Sequence, residues 1–222
     1  MAKIMTATQA VHTFINDGDT VAFNGFVGAV HPEEITKAIQ EEFLKENSPK
    51  DLTVLYAAGQ GDSNDRQLNH LAEEGLCSCV IGGHWSLAPK LQKLALENKF
   101  AAYNIPQGVI SQLFREIAAK RPGLITHVGL KTFVDPRLEG GKLNEKAKER
   151  GDIVELINIS GKEKLFYPTI PVDVTIVRAT YADTKGNCTL QKEGVLADIL
   201  PCIQAAKTNG GHVIVQVEKV VE

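Results

Sequence analysis

Through the first half of the chain, apolar positions come in two alternating textures. Short solid runs, Thr20 to Phe23, Leu52 to Ala57, Cys77 to Ile81 and Phe100 to Tyr103, predict strands buried on both faces. Between them lie segments with apolar residues three and four apart. Ala7 to Ile15 carries Ala7, Ala10, Val11, Phe14 and Ile15, and Pro32 to Lys45 carries Ile35, Ala38, Ile39 and Phe43. Helices are also predicted over Leu68 to Glu74, Leu87 to Asn98 and Val109 to Lys120. Thr6 or Thr8 can cap the first helix, and Ser86 the one from Leu87. Asn47-Ser48-Pro49, Gly75 and Arg121-Pro122-Gly123 are stops. A further strand is predicted over Ile125 to Gly129. Strand, glycine-bearing loop and helix thus repeat about four times, which predicts right-handed βαβ units and a mostly parallel α/β sheet.

The second half is patterned differently. Lys131 to Asp152 reads as loop. Ile153 to Ile159 and Lys164 to Tyr167 flank Ser160-Gly161-Lys162, an antiparallel hairpin signal. Val172 to Ala179 is another buried strand, and Asp183 to Asn187 turns into Cys188 to Leu190. Ile199 to Thr208 is a helix and His212 to Val221 a closing strand. No shift of composition divides the chain, so one domain over 1–222 is expected.

In a parallel sheet the loops that leave the strand C-termini share one edge. Here these are Asn24 to Gly28, Gly59 to Asp62, Gly82 to Trp85 and Asn104 to Gly108. The first belongs to the stretch DGDTVAFNGFVGAVHP, from Asp17 to Pro32. Gly25 and Gly28 can take positive φ and let the backbone approach a ligand. Pro32 suits a first helical position, with Glu33 and Glu34 in the first turn. Backbone N–H groups without partners should gather where strand gives way to helix, a place suited to anions and polarised carbonyls.

Composition narrows the field. Among 222 residues, 43% are hydrophobic and 23% charged, with a net charge of −3, which favours neither nucleic acid nor a membrane surface as partner. No apolar run reaches the length of a membrane span and the first residues carry no secretory core, so a cytoplasmic protein is expected. Cys77, Cys79, Cys188 and Cys202 are then expected as free thiols. His70 and His84 flank Cys77-Ser78-Cys79, but the spacing fits no standard zinc pattern, and no metal is expected.

Further motifs carry a resemblance. Asp17-Gly18, Val21-Ala22-Phe23, Gly25-Phe26 and Pro32 are similar to the N-terminal signature of family I CoA-transferases. Asn24 stands where that signature has the first glycine of Gly-Gly-Phe, and Val30 where it has a later one. Gly82-Gly83-His84-Trp85, Tyr103-Asn104 with Gln107-Gly108, Thr132 to Arg137, Gly140-Gly141-Lys142, Leu165 to Pro168 and Gly210 to Glu218 resemble, in order, the N-terminal α half of the propionate- and acetate-using members. The resemblance implies an open sheet with helices on both faces, the α-domain type akin to sugar-phosphate isomerases. It also implies a short-chain acyl-CoA:carboxylate transferase working with a β half, in an oligomer. CoA would be substrate, with no cofactor. The nucleophilic glutamate would lie on the β half, with no catalytic nucleophile in this chain.

The resemblance places Asn24, Gly25, Phe26, Val27, Gly28, Gln107 and Gly108 at the oxyanion and acyl part of the site. Gly59, Gln60, Gly61, His84 and Trp85 are candidate pocket residues. Plainer roles stand beside these. Gln107 can cap its helix, Trp85 can pack under the sheet edge, and Phe26 can pack on the next helix. Glu33 and Glu34 can simply complement the helix dipole. A non-catalytic acyl-CoA-binding subunit and a sugar-phosphate isomerase-like protein are the other functions compatible with the pattern. A dinucleotide enzyme is not, since Gly25-Phe26-Val27-Gly28 departs from Gly-x-Gly-x-x-Gly.

Overall fold

The computed structural model describes residues 3–221, so the outermost ends of the expected 1–222 span lie outside the described residues. In chain order the elements are α1 (Ala7–Phe14), β1 (Thr20–Phe23), α2 (Glu33–Glu46), β2 (Leu52–Tyr56), a 3-10 turn (Gln67–Leu71), β3 (Cys77–Gly82), α3 (Pro89–Leu96), β4 (Ala101–Asn104) and α4 (Gln107–Ala118). Then come β5 (Gly123–Thr126), α5 (Glu145–Arg150), β6 (Glu155–Ile159), β7 (Lys162–Pro168), β8 (Val174–Asp183), β9 (Cys188–Thr189), α6 (Ile199–Thr208) and β10 (His212–Val221). The main sheet runs β10-β8-β1-β2-β3-β4 with every neighbour parallel, and β9 pairs antiparallel with β8.

The solid apolar runs are strands covered on both sides. Val21, Phe23, Val54, Tyr56, Val80 and Ala102 face a layer built from α1, α2, the 3-10 turn and α3. Ala22, Leu55, Cys79, Ile81, Ala101 and Tyr103 face the other, with α4 and α6. Register then fixes where the loops begin. Ile176, Phe23, Tyr56, Gly82 and Asn104 lie in one row across the sheet. Four strands therefore end at one height, and their loops leave the same edge.

One irregularity matters for chemistry. Leu52 pairs with Cys77 but Thr53 with Cys79, so Ser78 is an extra residue in β3. This bulge reverses the usual same-face rule for alternate residues. Cys77 points into the first layer and Cys79 into the second. The two thiols cannot close on one metal ion. Burial pushes both thiols up, Cys79 to about 11.

Several expectations need correction. The strand expected at Ile125 to Gly129 is β5, three residues earlier at its end, and it is not in the parallel sheet. It pairs antiparallel with β7, Leu124 against Tyr167, in a separate sheet β5-β7-β6 that contains the predicted hairpin. The helix expected at Leu68 to Glu74 is only the 3-10 turn. Ser86 caps nothing: α3 starts at Pro89, and the Ser86 hydroxyl lies 2.7 Å from His84 Nε2. Helix α5 lies in the stretch expected to be loop. Its sequence EKAKER buries Ala147 alone, so no apolar stripe announces it. Asn144 starts it by accepting from the Ala147 N–H at 3.0 Å. At α1, Thr6 is the cap, in a reciprocal box with Gln9.

Tyr56 sits at the centre of the edge row, fully buried, with a hydroxyl that meets no partner among the described residues. Burial pushes its phenol far above the usual range. An unpaired buried hydroxyl carries a desolvation cost of about 1–3 kcal/mol. Tyr56→Phe is therefore expected to raise stability by about 1 kcal/mol in urea unfolding. A loss instead would mean that the hydroxyl is satisfied by a trapped water.

Candidate functional site

After β1 the chain makes a tight turn. Phe26 and Ala29 exchange backbone hydrogen bonds of 3.0 and 2.8 Å, with Val27 and Gly28 at the tip. Gly25 and Gly28 can take positive φ, but in this turn it falls on Val27 (53°) and Val30 (52°). A β-branched residue in the left-handed region is strained by roughly 1–2 kcal/mol, and persists only where the surroundings dictate it. Here the Val27 N–H donates to Gly59 O at 2.7 Å and the Gly61 N–H to Val27 O at 3.3 Å. Gly25 serves close approach. A Cβ there would lie 2.4 Å from Gln60 Oε1.

Other missing side chains knit the remaining loops together. A Cβ on Gly59 would strike the His84 ring at 2.5 Å, and one on Gly61 would meet Leu87 O at 1.9 Å. One on Gly83 would meet Ala57 O at 2.1 Å and Gln107 Cα at 2.9 Å. The four loops are thus one continuous ledge along the sheet edge, joined at glycines.

Helix α4 opens onto this ledge. Gln107 is its first residue, preceded by Pro106, and no side chain caps it. The Val109 and Ile110 N–H groups return to Pro106 O, while those of Gln107 and Gly108 meet no acceptor among the described residues. Gln107 and Gly108 are exposed. Gly108 faces open space, so packing does not explain its missing side chain. Phe26 and Val27 donate their N–H groups inside the fold, whereas the Gly28 N–H meets no acceptor among the described residues. Unspent donors therefore remain at Gly28, Gln107 and Gly108, with the positive end of the α4 dipole behind the last two.

The structure sorts the candidate residues into two layers. Phe26, Val27, Gly28, His84, Gln107 and Gly108 are exposed. Phe26 is 46% exposed. Asn24, Gln60 and Trp85 lie beneath the ledge, buried. Asn24 accepts from the Asp198 N–H at 2.8 Å and donates to Leu196 O at 3.4 Å, holding the segment before α6. The Gln60 side chain turns inward. Trp85 is 7% exposed, stacked on Phe100 and edge-on to Tyr56, because a large ring gains most by filling the core.

The Glu33 carboxylate bonds His70 Nε2 at 3.0 Å and accepts from the Gln67 N–H at 2.9 Å, so it is structural. Glu34 is exposed in the first turn of α2. Among the described residues no three His, Cys, Asp or Glu side chains gather as a metal site. No described helix is long and apolar enough to cross a membrane. Sequence reasoning passed over His31, which is buried beneath the ledge. The signal was there: a lone histidine between Val30 and Pro32, inside the glycine stretch.

The model of a protein family described as coenzyme A transferase matches residues 4–222. The chain belongs to that family. It is similar to a caffeate CoA-transferase of Acetobacterium woodii, with 46% identity over 98% of this chain and 41% of the relative. An acetate CoA-transferase, YdiF, of Escherichia coli strain K12 is 39% identical over 99% of this chain and 41% of its own length. The chain thus spans about two-fifths of the length of these curated relatives. A solved acyl-CoA transferase (YdiF) from Escherichia coli O157:H7 superposes with a TM-score of 0.95 at 38% identity, over 99% of this chain and 42% of that one. The glutaconate CoA-transferase of Acidaminococcus fermentans, at 20% identity and a TM-score of 0.80, shares the fold. The open, mostly parallel sheet with helices on both faces is therefore the fold of the CoA-transferases.

Proposed function

We propose that this chain is the α half of a short-chain acyl-CoA:carboxylate CoA-transferase, acting on acetate, propionate or similar acids with a β half that carries the nucleophile. Residues 3–221 would act as one domain in an oligomer, with CoA as substrate and no metal or redox cofactor. The observation that carries this is the ledge itself: unspent N–H groups at Gly28, Gln107 and Gly108 along one exposed edge.

The chemistry asks for such donors. A carboxylate of the β half attacks the thioester carbonyl, the C–S bond breaks, and CoA leaves as thiolate while the acyl group stays on the enzyme as a mixed anhydride. The thiolate returns to the carboxyl carbon of the enzyme, and the first acid departs. The second acid then repeats these steps in reverse. Each attack puts negative charge on a carbonyl oxygen, where one aimed donor is worth roughly 3–4 kcal/mol. The exposed Phe26 and Val27 side chains would offer the acyl group an apolar rim. The family likenesses named caffeate and acetate CoA-transferase agree with a carboxylic acid as acceptor.

The test is transfer from propionyl-CoA to acetate, by this chain alone and after mixing with a separately produced β half. Transfer only in the mixture is expected. Transfer by the chain alone would place the nucleophile here, with Glu34 the first candidate. CoA binding without transfer in an associated mixture would mean a binding subunit, and would overturn the proposal.

A further inference from the structure

Beneath the glycine turn a file of buried side chains runs from α2 to the end of β1. Thr36 Oγ1 lies 3.0 Å from His31 Nε2, and His31 Nδ1 lies 2.5 Å from Gln60 Oε1. Gln60 Nε2 donates to Phe23 O at 3.3 Å, the carbonyl that ends β1, and to Ala58 O at 3.5 Å, in the loop just past β2. Thr36 and Gln60 are fully buried and His31 is 2% exposed. The Phe23 ring stacks on the imidazole with centroids 6.0 Å apart.

The protons can be placed. The Gln60 nitrogen is spent on carbonyls, so its oxygen is the acceptor and His31 Nδ1 must donate. Burial holds the imidazole neutral, its pKa lowered to about 4 despite the Glu33 carboxylate nearby, with His70 acting in the same sense as burial. A neutral ring has one proton. It sits on Nδ1; Nε2 carries none and faces the Thr36 hydroxyl, whose single proton is shared between that nitrogen at 3.0 Å and Glu33 O at 2.9 Å.

Gly25 rests on the fixed end of this file, since its Cα packs against Gln60 Oε1. The far side of the turn is tied to Gly59 and Gly61 through Val27. Without the histidine the Gln60 amide would be held through its nitrogen alone, and the oxygen that forms the floor under Gly25 would be free to shift. We propose that His31 is a positioning residue: through Gln60 it fixes where the Gly25–Gly28 backbone stands relative to the reacting carbonyl. This rests on the CoA-transfer function proposed above.

The test uses two substitutions. His31→Leu removes both ring nitrogens. His31→Asn keeps a donor where Nδ1 stood. In the assembled two-half enzyme, His31→Leu is expected to lower kcat about 100-fold, the cost of misplacing a group by about 1 Å. KM should stay within about threefold. His31→Asn should recover most of the loss. In the isolated chain, amide hydrogen exchange at the bonded amides of the turn, Phe26 and Val27, should quicken about tenfold in His31→Leu while Ile214 in β10 keeps its protection.

Wild-type turnover or unchanged exchange at the turn in His31→Leu would overturn the proposal. So would equal losses in the two variants. Nitrogen NMR of the wild-type imidazole needs no variant to fold: a proton on Nε2 rather than Nδ1 also overturns it. If wild-type halves move no CoA, the functional proposal fails, while exchange and tautomer still decide the role of His31.

Discussion

Gly83→Ala is expected to destabilise the chain by about 2–3 kcal/mol, the cost of forcing an atom into a packed site. The new methyl would lie 2.1 Å from Ala57 O and 2.9 Å from Gln107 Cα. Both are backbone atoms, one at the end of β2 and one at the start of α4. Neither can rotate away as a side-chain tip could. The Gly83 N–H is also tied to Tyr56 O at 3.2 Å, so the loop cannot slide outward without losing that bond. Gly83 is not among the glycines at positive φ, so the penalty is steric alone. Relief must come from α4 moving, which shifts Gln107 and Gly108 together. Gly108→Ala is the matched control. It meets open space inside a helix, where alanine gains up to about 1 kcal/mol over glycine. Urea unfolding of both variants should therefore move in opposite directions. Wild-type stability in Gly83→Ala would mean that the β3 loop does not pack on α4.

That opposition shows what could be read in the residues and what could not. The strands were legible because solid runs such as LTVLY exist only where both faces are covered. The shared edge followed from the βαβ rhythm, and the in-register row from Ile176 to Asn104 agrees with it. Glycines marked the ledge, but their reasons were hidden. Gly25, Gly59, Gly61 and Gly83 are glycine because other loops press on them, and those contacts join residues far apart in sequence. Positive φ sits on Val27 and Val30, and at Val27 tertiary hydrogen bonds to Gly59 and Gly61 impose it against local preference. The inward turn of Gln60 was equally unreadable, because its partner is His31 across the loop. Helix α5 was missed for another reason: six residues with one buried position carry no periodicity.

Gln107 is where fold and function should separate most clearly. It is exposed, stands first in α4 and makes no side-chain capping bond. Gln107→Ala should accordingly change stability by no more than about 0.5 kcal/mol. In the assembled enzyme, kcat/KM should fall about 100-fold, the usual cost of losing one donor to a developing oxyanion. Gln107→Glu sharpens the contrast. A carboxylate in the first turn complements the helix dipole and should raise stability by about 0.3–1 kcal/mol. The same carboxylate would repel negative charge growing on a carbonyl oxygen and offers no donor, so transfer should fall further than in the alanine variant. A fold made firmer and an activity made weaker by one substitution cannot come from general damage to the chain. Urea unfolding of the isolated chain and propionyl-CoA:acetate transfer by the assembled halves measure the two effects separately. If Gln107→Glu keeps full transfer, the side chain does not touch the reacting oxygen. The donors would then be backbone alone, at Gly28 and at the open end of α4.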